Sequence, residues 1–171
     1  MVNDLNFRKS FPSMNIIKYK SPFGIITVRE KDGAIIHVYL PNAEPDIPEN
    51  PTELLENAKT QLAEYFNGGR KTFDLPLNFD GCGDFAVKVY KELLKIPCGE
   101  TASYKNIAER INCPKGYRAV GLANNKNPLP IIVPCHRVIG SNGKMVGFGG
   151  GIDLKLKLLE LEKNHFMPNA R

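Results

Sequence analysis

The sequence predicts a two-domain α/β protein. A small antiparallel β-sheet carrying one helix should occupy residues 1–80, and a mostly α domain with a helix-turn-helix residues 81–171. Three observations predict it. Short runs rich in Ile, Val and Tyr crowd Met14 to Pro41, two helical patterns with a brief turn between them fall between Thr101 and Asn125, and Leu75 to Gly83 has no period and ends in glycines. That last stretch suits a domain boundary near residue 80. A chain of 171 residues, 42% of them hydrophobic, can bury a core in one domain or two.

The first half opens with NIIKYK, GIITVRE and AIIHVYL, separated by turn chemistry at Ser21-Pro22-Phe23-Gly24 and at Lys31-Asp32-Gly33. His37 lies inside the third run, where a partly exposed strand histidine is its simplest role. The acidic, proline-rich NAEPDIPEN reads as a surface loop. Thr52 can then cap a helix along which Leu54, Leu55, Ala58, Leu62, Tyr65 and Phe66 recur at helical spacing, and Gly68-Gly69 stops it. Its apolar face should cover the sheet.

In the second half Asp84 can cap a helix with Phe85, Val89, Leu93 and Leu94 on one face, closed by Pro97 and Gly99. TASYKNIAERI, NCPKG and YRAVGLANN then make helix, turn and helix, with Ser103 as cap and Tyr104, Ile107 and Ile111 along the first. On the second, Ala119, Gly121 and Ala123 leave a flank bare of long side chains, which suits either tight helix packing or close approach to a partner. Arg118 and Lys126 at its ends favour a phosphate-lined one. IDLKLKLLELEK is an amphipathic helix with Leu154, Leu158 and Leu161 inward; Glu162 follows Leu158 by one turn and shares that face, unless the helix end frays there. The tail from Asn164 to Arg171 is expected to fray.

Composition narrows the function. No run of about 18 apolar residues exists and MVNDLNFRKS lacks the apolar core of a secretory signal, so the expected place is the cytoplasm, or the nucleus in a eukaryote, with no membrane partner. Cys82, Cys98, Cys113 and Cys135 form no CxxC pair and the histidines are only His37, His136 and His165, so no metal site is legible. The charge of +5 is uneven: Met1 to Asp80 holds 9 Lys and Arg against 11 Asp and Glu, whereas Gly81 to Arg171 holds 14 against 7. A net −2 half thus precedes a net +7 half, and a polyanion is one natural partner of the latter, solubility being the other use of such charge.

The stretch with the most chemistry is NPLPIIVPCHRVIGSNGKMVGFGGG, Asn127 to Gly151. Pro128, Pro130 and Pro134 each fix φ and push the preceding residue toward extended geometry, which makes a stiff, non-helical arm presenting Cys135. NPLPIIVPCHRVI followed by GFGGG resembles the acceptor-cysteine signature of the O6-alkylguanine-DNA alkyltransferases. SYKNIA, YRAVG and FDLPL ahead of the helix that starts at Asp84-Phe85 resemble other stretches of that family, which usually has Gln and Trp where Ala86 and Tyr90 stand here.

The resemblance implies irreversible, stoichiometric transfer of an alkyl group from O6-alkylguanine, and from O4-alkylthymine, in double-stranded DNA to Cys135, by a monomer that needs no cofactor. It implies a relay of Cys135, water, His136 and Glu162, proton donation by Tyr104, and Asn127 tying the turns. The helix bearing Arg118, Ala119, Gly121, Ala123 and Lys126 would enter the minor groove, with Arg118 filling the gap left by a flipped base. A pocket of Pro130, Val138, Phe148, Gly149 and Gly150 would hold that base, Val138 and Gly149 through their backbone. Elementary chemistry agrees that a thiol attacks as thiolate and needs a base. Adjacent residues on extended backbone point apart, so Cys135 and His136 are expected to communicate through water. The rival readings are a Cys-His hydrolase, a damage sensor that does not transfer, and a DNA-binding module with a merely buried cysteine.

Overall fold

The computed structural model describes residues 14–167. Met1 to Ser10, with the expected lack of a secretory signal, lies outside them, as do residues 168–171 of the tail.

β1 (Asn15–Ser21), β2 (Gly24–Lys31) and β3 (Ala34–Tyr39) form an antiparallel sheet in sequence order. Ser21 pairs with Gly24, and the Ser21 hydroxyl accepts from Phe23 N at 3.1 Å while donating to Gly24 O at 2.6 Å, which closes the first turn. The second is Asp32-Gly33, with φ of 52° and 78°; a type I′ hairpin requires two left-handed residues, and Asp-Gly supplies them cheaply. His37 lies in β3 beside Tyr39, their rings 4.2 Å apart.

α1 (Glu53–Phe66) is capped as expected by Thr52, whose hydroxyl accepts from Leu55 N. It lays Leu55, Ala58, Leu62 and Phe66 on Ile17, Ile26, Val28 and Val38, all buried, each large aliphatic contributing about 1.5–3 kcal/mol. Two segments read as structureless are not wholly so. Pro41–Ala43 makes one 3-10 turn, and Leu77 bridges to Ile35 along the free edge of β3, with Ile35 N donating to Pro76 O at 2.8 Å and Asn78 N to Ile35 O at 3.0 Å. A single paired residue leaves no period to read.

The basic half is helical. α2 (Asp84–Leu93) takes Gly83, not Asp84, as its N-cap; Asp84 stands in the first turn, where its charge favours the positive helix end. Leu93 is fully buried but Leu94 is 43% exposed, because the C-cap residue keeps helical backbone and a further 100° turn carries it off the buried face. α3 (Tyr104–Arg110) starts with a reciprocal cap: Ser103 Oγ accepts from Asn106 N, and Asn106 Oδ1 from Ser103 N, both at 3.0 Å. α4 (Tyr117–Asn125) completes the helix-turn-helix and packs on α2 and α3. Two short parallel strands, β4 (Ala102–Ser103) and β5 (Val138–Ile139), fasten the start of α3 to the segment after Cys135.

α5 (Ile152–Phe166) runs further than the sequence suggested. His165 lies over Gly68, where a Cβ would come within 2.7 Å of its ring, and Lys71 Nζ sits 5.6 Å from the Phe166 ring. These contacts from the first half hold a helix end that would otherwise fray. Buried side chains of the two halves form one contiguous cluster, and Val38 N of β3 donates to Pro128 O at 2.8 Å. The sheet therefore buttresses the proline arm directly.

Candidate functional site

The arm is stiff but doubled back. Asn127 Nδ2 donates to Val133 O at 2.9 Å, Asn127 Oδ1 accepts from Leu129 N at 3.0 Å, and Val133 N donates to Leu129 O at 2.8 Å. One asparagine thus satisfies both ends of the loop between the prolines. Ile131 sits inside it with φ of 74°, a left-handed value that costs a β-branched residue about 1–3 kcal/mol. Burial of Leu129, Ile131, Ile132 and Val133 holds it there. Pro130, also buried, bridges to Val133.

Cys135–Arg137 form a 3-10 turn, which corrects the expectation of extended backbone at Cys135 and His136. Cys135 N bonds to Val133 O at 2.8 Å and Arg137 N to Pro134 O at 3.0 Å, and these tight turns replace the strand geometry that prolines alone would favour. Among the described residues no direct hydrogen bond joins the Cys135 and His136 side chains. Cys135 is 2% exposed, and burial pushes its thiol up to about 11, against the pull of Asn127 and of the Lys155 charge.

His136 and Glu162 are fully buried, with His136 Nε2 2.6 Å from Glu162 Oε1. Burial alone would raise the Glu162 carboxyl, but hydrogen bonds and charge from His136 and Arg137 outweigh it and hold the group well below the usual carboxylate range. An ionised carboxylate only accepts, so the proton of neutral His136 lies on Nε2 and Nδ1 presents a lone pair. Burial, opposed by Glu162 and reinforced by the Arg137 and Lys155 charges, lowers the imidazole from its ordinary value. Nδ1 and Asn124 Oδ1 are buried atoms with no hydrogen-bond partner among the described residues.

Four side chains that the sequence reading missed complete this centre. Arg137 grips Glu162 through Nε at 3.0 Å and Nη2 at 3.0 Å, and its Nη1 donates to Ile96 O at 2.7 Å. Tyr65, from α1, donates its hydroxyl to Glu162 Oε1 at 2.7 Å. Asn124 of α4 donates to Cys135 O at 3.2 Å. Lys155, fully buried on α5, donates to Val138 O at 2.6 Å and Val146 O at 3.2 Å, and burial lowers its ammonium. Its signal was available, since Lys155, Leu158 and Glu162 follow one face at helical spacing. Tyr65 had none, being 97 residues away in sequence from its partner.

Tyr104, partly buried, donates to Val146 O at 2.9 Å; burial and the proximity of Cys135 raise its phenol. Val138 is buried in β5, and Phe148 is 7% exposed. Gly149, exposed, has its carbonyl taken by Asn42 Nδ2 at 3.0 Å, so here the first half holds the glycine loop. At Gly150 a Cβ would fall 2.7 Å from the terminal methyl carbons of both Leu154 and Leu40, so a larger residue would require those side chains to shift where the loop passes between the halves.

On α4 the three small residues do not share one flank, because steps of 100° per residue put Gly121 on the side away from Ala119. Ala123 turns to the core at 6% exposure, its carbonyl accepting from Tyr90. Ala119 and Gly121 instead border an exposed stripe of Arg118, Leu122 and Asn125, and Gly121 lies against the Tyr104 ring. Lys126 is exposed at the C-cap. A cleft of about 400 Å³ opens here between α4 and the glycine loop, lined by Tyr104, Arg118, Gly121, Leu122, Val146 and Gly147. Tyr117, Leu122 and Val146 leave it an exposed apolar rim, with Arg118 5.9 Å from the Tyr117 ring.

Comparison with known proteins agrees over nearly the whole described chain. Residues 14–79 match the model of the 6-O-methylguanine DNA methyltransferase ribonuclease-like domain, and residues 84–164 that of the DNA-binding domain of the same name. The methylated-DNA–protein-cysteine methyltransferase of Methanosarcina barkeri is 45% identical, with 85% of this chain and 95% of the relative covered. That of Mycolicibacterium paratuberculosis is 43% identical over 88% and 94%. The crystal structure of Mycobacterium tuberculosis OGT in complex with DNA superposes with a TM-score of 0.80 at 43% identity, covering 88% of this chain and 94% of that one. Matches of this extent, across both halves, show that the chain belongs to the 6-O-methylguanine DNA methyltransferase family.

Proposed function

We infer that this protein repairs DNA directly, moving an alkyl group from O6 of guanine to one of its own cysteines, and that the acceptor is Cys135. The observation that carries the assignment is the buried thiol beside an imidazole whose Nε2 is committed to Glu162 and whose Nδ1 is free to take a proton. Two relatives of high coverage are named methylated-DNA–protein-cysteine methyltransferases, and one similar structure contains DNA.

The chemistry follows from the resting state. A thiol pushed up to about 11 is neutral near pH 7, so attack requires that its proton leave as the substrate arrives. A water carries that proton from Cys135 to His136 Nδ1, and the Lys155 charge favours the thiolate left behind. The sulfur lone pair forms the S–C bond as the C–O6 bond breaks. Guanine leaves with the O6 electrons and gains a proton from the Tyr104 hydroxyl, both proton sites then equilibrating with solvent. The product is a thioether, so each molecule acts once.

DNA binding is assigned to α4 and its exposed Arg118, Leu122, Asn125 and Lys126. A degenerate minor groove suits a protein that must find the lesion in any sequence, and Arg118 occupies the stack when the base is extruded. O4-alkylthymine is the second substrate, the working form is a monomer, and the compartment is that of the DNA, the cytoplasm in a prokaryote. Incubation with duplex carrying radiolabelled O6-methylguanine should place one label per protein on the peptide containing Cys135. No label on protein, or label on Cys82, Cys98 or Cys113, would overturn the assignment.

A further inference from the structure

We propose that Tyr65, a residue of the amino-terminal half, is a positioning residue of the transfer reaction, its hydroxyl sharing with His136 the carboxylate oxygen on which the base depends. The proposal rests on the relay reading of His136 and Glu162 above.

The geometry is specific. The Tyr65 ring is fully buried in the last turn of α1, 5.1 Å from Phe66 and 5.5 Å from Phe73, so the phenol has one direction in which to point. Its oxygen meets Glu162 Oε1 at 2.7 Å. The same oxygen accepts from His136 Nε2 at 2.6 Å and Arg137 Nη2 at 3.0 Å, while Oε2 accepts from Gly99 N and Arg137 Nε, both at 3.0 Å. Arg137 Nε also reaches Oε1, at 3.2 Å. A carboxylate oxygen offers two lone-pair directions, so these donors on Oε1 compete for it. Donation by Tyr65 therefore withdraws negative charge from the hydrogen bond that makes His136 basic.

The charged and titratable groups around this oxygen come from four places. They are Tyr65 on α1, Cys98 ahead of Gly99, His136 and Arg137 on the 3-10 turn, and Lys155 on α5, whose charge acts on the imidazole. Burial and the Glu162 charge hold the Tyr65 phenol well above its ordinary value, and burial pushes Cys98 up to about 12, so both stay protonated at working pH. His136 is the member of the cluster left to respond. The first half thus sets the strength of the base as well as supporting the fold.

The test uses the full chain with the Tyr65→Phe change, reading the His136 imidazole titration by NMR and the single-turnover transfer rate across pH. Loss of the competing donor should move the His136 titration and the rising limb of the rate profile up by about half a unit, a roughly threefold slower transfer below the limb. Duplex affinity should not change. A site-specifically incorporated difluorotyrosine at position 65 keeps the ring and donates more strongly, and should move both downward. A His136 titration that stays in place in both proteins overturns the proposal. Glu162→Gln run alongside separates the two failures: unchanged transfer there removes the relay itself, whereas slowed transfer with an unmoved His136 removes only the role of Tyr65.

Discussion

His136 Nε2 and Glu162 Oε1 lie 2.6 Å apart with neither side chain reaching solvent, and Arg137 holds the same carboxylate through two nitrogens. One buried anion therefore serves, besides Tyr65 and Gly99, two donors of different kinds. Toward His136 it fixes the tautomer and leaves Nδ1 as acceptor; toward Arg137 it neutralises a buried cation. Losing the anion should damage chemistry and stability together, and the two losses can be measured apart.

Glu162→Gln should slow single-turnover transfer about ten- to a hundredfold, with duplex affinity unchanged. It should also lower stability by about 3–5 kcal/mol, because Arg137 loses its counter-ion in a buried place. The sign of the acid dependence follows from a depressed carboxyl. Its contribution is present above the ordinary value near 4.5 and is lost as pH falls below it, so the parent should lose stability in acid more steeply than the Gln variant. Urea titrations at pH 7 and pH 3 read this. A stability loss with an unaltered rate at pH 7 would make the role of Glu162 purely structural.

Cys135→Ala should abolish transfer and keep duplex binding, since α4 is intact. The thiol also leaves a mark on stability. Its folded-state value, about 11, exceeds the ordinary 9.0, so its contribution is complete below about pH 9 and fades as pH rises to about 11. The alkaline loss in that window should be smaller in Cys135→Ala by about 2–3 kcal/mol, two units at about 1.4 kcal/mol each. Identical alkaline profiles would mean that burial does not raise the thiol above its ordinary value in the resting protein.

How much of this was legible without coordinates depends on the range of each interaction. Thr52, Ser103 and Asp32-Gly33 act within a few residues, and the sequence shows them directly. The apolar helical face showed that the Glu162 carboxylate needs a partner, and the family resemblance named His136; the same facial logic, carried two turns back along the helix, reaches Lys155. Tyr65 and Asn42 were invisible, because a donor from the first half meets an acceptor in the second with no local pattern to betray it. The bare flank of α4 failed for a geometric reason, since residues two apart on a helix face opposite ways.

Lys155→Met should slow transfer at neutral pH by more than the loss of a hydrogen bond explains. Its ammonium is the cation that pulls the Cys135 thiol down, and methionine keeps the volume without the charge. The Cys135 thiol should then titrate higher still, moving the pH dependence of its reaction with iodoacetamide to more alkaline values. Val138 O and Val146 O also lose a donor, which should cost about 1–3 kcal/mol of stability. An unmoved alkylation profile beside a lower stability would confine Lys155 to holding the glycine loop.

Arg118 separates charge from bulk. It stands on the exposed stripe of α4 beside Leu122 and Asn125, at the mouth of the cleft that also holds Tyr104 and Gly121. Removing its charge weakens attraction to phosphate; removing its bulk leaves the gap in the base stack unfilled, and unstacking a base costs a few kcal/mol. Arg118→Ala should therefore slow transfer from duplex DNA far more than transfer from the free O6-methylguanine base, which needs no extrusion. Arg118→Lys should recover part of the loss through charge and aliphatic stem, without the planar stacking of a guanidinium. A duplex with the lesion in a mismatch, already cheaper to open, should show a smaller Arg118→Ala defect than a paired one. Single-turnover rates on the three substrates decide it, and equal losses on free base and duplex would place Arg118 in the shaping of the pocket, not in base extrusion.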